Sequence, residues 1–153
     1  MMTKCPLCKT GRLQATTVSH RVNVGDREFR VTIPATVCAA CAEDFVSDET
    51  MRRLELSVAA RLAAIGDASG EAFRYMRKAL GLKAAELGKL LALRPETISR
   101  WETGRAPVDR GALAALAAAV NDALAGRSDT LDVLRALGGP ARGPKRLEIH
   151  LEE

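Results

Sequence analysis

The chain holds four cysteines, and they fall into two Cys-x-x-Cys pairs: Cys5/Cys8 in CPLC and Cys38/Cys41 in CAAC. A pair with this spacing can turn both sulfurs toward one ion. Two such knuckles supply the four thiolates of a tetrahedral zinc site, with Zn–S distances of about 2.3 Å. An all-cysteine site leaves no coordination position open for water or substrate, so its zinc is structural. Cys5, Cys8, Cys38 and Cys41 are therefore expected to hold one structural Zn2+. A redox pair and an iron site are the alternatives the same spacing allows. Four thiolates and Zn2+ sum to a charge of −2. Residues 1–68 carry nine basic and eight acidic side chains, so the metal-loaded segment is about neutral or slightly acidic.

No run of residues is long and apolar enough to span a membrane, and Met1-Met2-Thr3-Lys4 leads straight into Cys5 without a signal peptide's apolar region. A cytoplasmic location without a membrane partner is expected. In a reducing compartment two disulfides become a poor account of the cysteines.

The segments between and after the knuckles must bring them together. The 29 residues from 9 to 37 read as β. Val18, His20, Val22 and Val24 alternate, Gly25-Asp26 marks a turn, Phe29, Val31 and Ile33 alternate on the return, and Pro34 ends the run. A hairpin joins the knuckles, and its core is small enough that metal binding contributes to folding. His20 reads as a strand side chain rather than a ligand. The period then becomes helical: Met51, Leu54, Val58, Leu62 and Ile65 form a stripe, capped by Ser47 or Asp48 and ending near Gly66. The polar break 66–70 is the expected domain boundary.

From Glu71 to about Gly138 the pattern is helical throughout. Ser69 caps a first helix carrying Phe73, Met76 and Leu80, which Gly81 stops. Leu82–Leu91 is a second helix and Pro95–Thr103 a third, with proline in its first turn. Residues 111–124 form an alanine-rich fourth helix and 128–137 a fifth. The expected fold class is α+β: a zinc-bound β-hairpin module with a following helix, then an all-α five-helix domain. The expected division is 1–68, 69–138 and a tail, 139–153, whose 147–152 stretch alternates like a short strand. His150 in that tail reads as solvated.

Residues 80–107, LGLKAAELGKLLALRPETISRWETGRAP, read as a helix-turn-helix. Leu87, Leu90 and Leu91 face inward from its first helix, Ile98 and Trp101 from its second. Small Gly88 lets the two approach. Glu96, Thr97, Ser99, Arg100 and Thr103 are left outward or on the flanks. Short polar side chains with one Arg suit a major groove, where Arg bonds guanine bidentately. Residues 74–110 hold nine basic and four acidic side chains, a local +5 in a chain of net charge +4. Arg74, Arg77, Lys78, Lys83, Lys89, Arg94 and Arg105 are candidates for phosphate contact. Trp101 reads as core, and Glu102 as a structural hydrogen-bonding or salt-bridging residue. No nucleophile has a nearby His and acid, and no glycine-rich phosphate loop is present, so no enzyme activity is expected.

Residues 71–125 resemble the Cro- and lambda-repressor-like (XRE) helix-turn-helix family, through Leu87, Leu90, Leu91, the run Thr97–Glu102, Gly104 and Pro107. Ala84 stands where that family often has a backbone-contacting Gln. With CxxC…CxxC ahead of it, the chain resembles the MqsA-type antitoxins, which join a YgiT-type zinc finger to such a domain. That resemblance implies a type II antitoxin and transcriptional autorepressor. Its zinc module neutralises a protein toxin, a ribonuclease, and its C-terminal domain forms a homodimer on a palindromic double-stranded operator. It carries base reading onto Arg100, and onto Glu96 where the family has Asn; Glu accepts from cytosine. The assigned residues are then Glu96, Thr97, Ser99 and Arg100 toward bases, and Lys83, Lys89, Arg94 and Arg105 toward phosphates. The helices 111–124 and 128–137 are the expected dimer surface. The alternative is a stand-alone repressor that senses zinc or redox state through its cysteines.

Overall fold

Val18, His20 and Val22 alternate down strand β1 (Leu13–Val24) and face Ile33, Val31 and Phe29 across β2 (Arg27–Cys38) in antiparallel register. The computed structural model describes residues 4–153, and this hairpin is its first feature. Gly25 and Asp26 form the two-residue turn, with Gly25 at φ 59° as a tight hairpin requires. The return strand does not end at Pro34, which pairs with Thr17 in mid-ladder. A short strand β3 (Asp44–Phe45) covers β2 only at Thr36 and Val37. Pro34 thus lies where β2 has one free edge, and a missing N–H is tolerated there.

Helix α1 (Asp48–Ala64) starts at Ser47, whose hydroxyl accepts the Thr50 N–H at 3.1 Å. The expected stripe is only part of its buried surface. Leu54, Val58 and Leu62 are buried, but so are Leu56 and Ala59, whereas Ile65 is 46% exposed. The wider arc arises because α1 lies between β2 on one side and helices on the other. Those helices are α2 (Gly70–Ala79) and α5 (Arg110–Leu124). The remaining helices are α3 (Ala84–Leu91), α4 (Pro95–Glu102) and α6 (Asp129–Leu137). The class is α+β, with a cysteine-bearing hairpin followed by six helices.

One core runs through all of this. Val24 and Ile33 of the hairpin, Leu54 to Leu62 of α1, Phe73 and Met76 of α2, Ile98 and Trp101 of α4, and Leu116 and Val120 of α5 belong to a single buried cluster. Alanines 112 and 119 let α5 approach its neighbours closely, and its apolar face is spent inside the chain except at its end, where Leu124 is exposed. The hairpin tip is also latched: Arg27 Nε donates to Asp67 Oδ2 at 2.8 Å, and Asp67 Oδ1 accepts the Ser69 N–H at 3.0 Å. Asp67 is held below the usual carboxylate range, because the Ser69 and Arg27 hydrogen bonds outweigh its desolvation.

Helix α6 has no buried residue of its own. Its start is capped from α5: buried Asp122 accepts the Thr130 N–H at 2.8 Å and the Thr130 hydroxyl at 2.6 Å. Residues 139–153 carry no regular structure, including the alternating 147–152 stretch.

Because α1 completes the core, residues 69–138 alone should be far less stable than residues 47–138. The missing α1 covers apolar surface equivalent to several Leu or Val side chains, each worth about 1.5–3 kcal/mol. The sum rivals the roughly 5–15 kcal/mol stability of an ordinary domain. Urea unfolding of the two fragments, followed by circular dichroism, should give a cooperative transition for 47–138 and a weak or absent one for 69–138.

Candidate metal centre and nucleic-acid interface

The two knuckles repeat one local conformation. The N–H of Lys9 reaches the Cys5 carbonyl at 3.1 Å, and that of Ala42 reaches the Cys38 carbonyl at 2.9 Å. Lys9 and Ala42 follow the second cysteine of each pair, and both take left-handed φ, 64° and 62°. Gly11 brings the first knuckle against the second, since a Cβ there would collide with the Cys38 sulfur and lie 2.8 Å from the Ala40 Cβ. Neither feature has a signal in the CxxC spacing.

All four sulfurs lie within 4.8 Å of one another. Cys5 and Cys41 are separated by 3.8 Å, Cys8 and Cys38 by 3.6 Å. A tetrahedron with metal–sulfur bonds of about 2.3 Å has edges of about 3.8 Å, so the spacing fits one thiolate-bound metal ion such as zinc. The backbone is arranged for negative sulfur. Gly11 N–H donates to Cys8 Sγ at 3.3 Å, Ala40 and Cys41 N–H to Cys38 Sγ at 3.4 and 3.5 Å. The Thr10 hydroxyl and the Gly11 N–H lower Cys8 to about 6. A backbone hydrogen bond from Glu43 favours the Cys41 thiolate, but Cys38, desolvation, Cys5 and Cys8 outweigh it and push Cys41 up to about 12. Four sulfurs this close cannot all ionise without a cation to share. Beside them an apolar groove of about 430 Å³ is lined by Pro6, Leu13, Pro34, Phe45 and Val46.

The helix-turn-helix is α3, the connection 92–94, and α4. Its turn holds because Ala92 takes φ 54° and the Leu93 N–H reaches back to the Gly88 carbonyl at 2.8 Å. A Cβ on Gly88 would stand 2.7 Å from the Leu93 carbonyl oxygen, so the close approach at Gly88 is that of the connecting turn, with the Ile98 side chain of α4 at an ordinary 3.7 Å. Leu87 and Ile98 are fully buried between the helices, and Leu90 and Leu91 are half-buried. Ala84 is half-buried in the first turn of α3.

Glu96, Ser99 and Arg100 are exposed on α4 and Thr97 is half-buried. Glu96, Thr97 and Arg100 line one surface depression with Arg94. Lys83, Lys89, Arg94 and Arg105 are all exposed, at the N-cap of α3, its last turn, the N-cap of α4 and just beyond α4. Thr103 is exposed, with its hydroxyl donating to the Ser99 carbonyl at 2.8 Å. None of Glu96, Arg100, Lys83, Lys89, Arg94 and Arg105 has an ion pair among the described residues.

Arg77 departs from the expectation of phosphate contact. It is 8% exposed, and its guanidinium grips Glu102 with Nε–Oε1 at 2.6 Å and Nη2–Oε2 at 3.0 Å. Its Nη1 donates to the Leu82 carbonyl at 2.8 Å. Arg77 is therefore structural, and Glu102 is the salt-bridging residue the sequence suggested. The pair ties α2 to the end of α4. Trp101 beside it is core, with its ring edge-on to Phe73 at 5.6 Å and 83°.

Removing one member of a buried pair strands the other. Arg77→Ala or Glu102→Ala should each cost about 3–5 kcal/mol, and the double change Arg77→Met, Glu102→Leu much less. Guanidinium unfolding of the variants checks this; additive losses would mean that the pair is not coupled.

Residues 68–121 match the sequence model of a helix-turn-helix domain family. No curated protein matches the chain. No helix among the described residues is long and apolar enough to cross a membrane. A helix-turn-helix domain whose second helix exposes Arg100 points to DNA binding and a transcription regulator, here preceded by a four-cysteine cluster with metal-site geometry.

Proposed function

We propose that the chain is a cytoplasmic antitoxin of a type II toxin–antitoxin pair and represses its own promoter. The observation that carries this reading is the joining of a closed four-sulfur cluster to a helix-turn-helix domain in one chain. The order matches the MqsA-type resemblance. In this reading the cluster holds one structural Zn2+. It catalyses nothing, because four protein ligands leave no open position. The surface around the knuckles, including the apolar groove beside Phe45 and Val46, receives the toxin, a ribonuclease. The division at residue 68 is one of labour: metal and toxin ahead of it, DNA behind it.

Arg100, Glu96, Ser99 and Thr97 face bases in the major groove, while Lys83, Lys89, Arg94 and Arg105 reach phosphates. The palindromic operator is bound by a homodimer, which sets two copies of α4 one helical turn apart. Its interface is α6 with the end of α5, since the rest of the α5 apolar face is used internally. Val133 and Leu137 are 59% and 76% exposed, and Leu124 is 42% exposed.

A second reading is a stand-alone repressor whose cysteines sense zinc or oxidants. The core shared between hairpin, α1 and helix-turn-helix favours it, because loss of metal would loosen packing next to α2.

Two outcomes test these assignments. Arg100→Ala should cost about 1–3 kcal/mol in operator affinity and relax specificity at one base pair per half-site; a variant that reads the operator like the parent removes Arg100 from the interface. Stripping the metal with a chelator should release the toxin. Reversible gain and loss of DNA affinity on zinc addition, with no toxin encoded beside the gene, would instead select the sensor.

A further inference from the structure

The last helix hands over to a segment of unusual composition. Residues 139–146 read Gly-Pro-Ala-Arg-Gly-Pro-Lys-Arg, and no acidic side chain occurs between Asp132 and Glu148. Every residue from 135 onward is exposed. Arg135 is engaged with Asp132 at 3.3 Å, but Arg142, Lys145 and Arg146 have no ion pair among the described residues. Pro140 and Pro144 lack a donor and hold φ fixed, which keeps this stretch from continuing α6.

We propose that residues 140–146 are a second DNA-contacting arm, which lies along the duplex flanking the site entered by α4. The proposal rests on the DNA-binding reading of the helix-turn-helix. Helix α6 packs on α5 and on α3, the first helix of that motif, so the arm emerges from the DNA-binding body itself. Seven extended residues span about 23 Å, enough to follow the backbone beyond the recognised half-site. Only Gly143 and Pro144 stand between the cations and Pro140 and Ala141 precede them, so no bulky apolar side chain keeps the chain out of a minor groove about 6 Å wide. Arms of this kind, carrying Arg and Lys, read minor grooves beside major-groove helices in other DNA-binding proteins. Tethering raises the local concentration of the arm at the phosphates once α4 is seated. Contact ends at Arg146: residues 147–153 hold Glu148, Glu152 and Glu153 and no Lys or Arg, and phosphate repels them.

The test uses the full chain and a duplex selected by it from a random pool, prepared without flanks and with about ten flanking base pairs, one helical turn, on each side. The parent should bind the flanked duplex tighter. The triple change Arg142→Ala, Lys145→Ala, Arg146→Ala should bind both lengths alike. Its slope of log affinity on log salt should be smaller by about 2–3 per chain, with affinity for the flanked duplex down tenfold or more at 0.1 M salt. Its thermal unfolding should be unchanged, since these side chains are exposed and have no ion pair among the described residues. The control, Arg12→Ala, Arg52→Ala, Arg53→Ala, removes three exposed charges from the front of the chain and should leave flank dependence intact. Equal affinity and slope in parent and tail variant would overturn the arm, as would an equal loss in the control. If the full chain selects no duplex, the helix-turn-helix reading falls and the arm with it. If Arg100→Ala loses specificity while the tail variant behaves as parent, only the arm falls.

Discussion

The pose of α4 is set at its C-terminal end by Trp101 and Glu102. Trp101 buries its ring edge-on against Phe73, and Glu102 is gripped by Arg77, so both neighbours are anchored to the same helix, α2. An apolar contact fixes depth, and a bidentate guanidinium–carboxylate pair fixes rotation. With that end pinned, Ile98 falls into the groove over Leu87 and Gly88, and the opposite face of α4, with Glu96, Ser99 and Arg100, is presented outward. The exposed polar face thus follows from buried contacts on the other side of the helix.

The front of the chain is built on a different principle. Its two strands of 12 residues carry one aromatic, Phe29, and a half-buried apolar face too thin to hold itself together. Stability is borrowed at both ends. At one end four sulfurs within 4.8 Å of one another bring the knuckles together, and an ion bound there would link metal affinity to folding. At the other the turn rests on α2 and is tied to Asp67. Helix α1 fills the space between, which explains why it is apolar round more of its circumference than a surface helix needs.

Much of this was legible in the sequence because it rests on local chemistry. Period-two alternation marked the hairpin, Ser47 and Ser69 marked helix starts, and Trp101 was recognisable as core from its spacing to Ile98. The four sulfurs could be grouped from spacing alone. The features that escaped depend on partners distant in sequence. Leu56 is buried because β2 and the helices flank α1 from different sides. Arg77 looked like one more cation for phosphate, and only Glu102, 25 positions away, makes it structural. Asp122 caps a helix to which it does not belong. Pro34 ends a strand by rule, and its place on a partly free edge suspends the rule. Lys9 and Ala42 hold a conformation no residue type announces.

The hairpin also sets a distance. Leu13 pairs with Cys38 at the sulfur end, and Val24 pairs with Arg27 beside α2 at the other. Strands of 12 residues at about 3.3 Å each span roughly 40 Å. A molecule seated on the knuckles is therefore held a ribbon's length from the tip that rests on the helix-turn-helix body. The sulfur end is thus joined to α2 through a two-stranded ribbon and through α1, which packs on both β2 and α2.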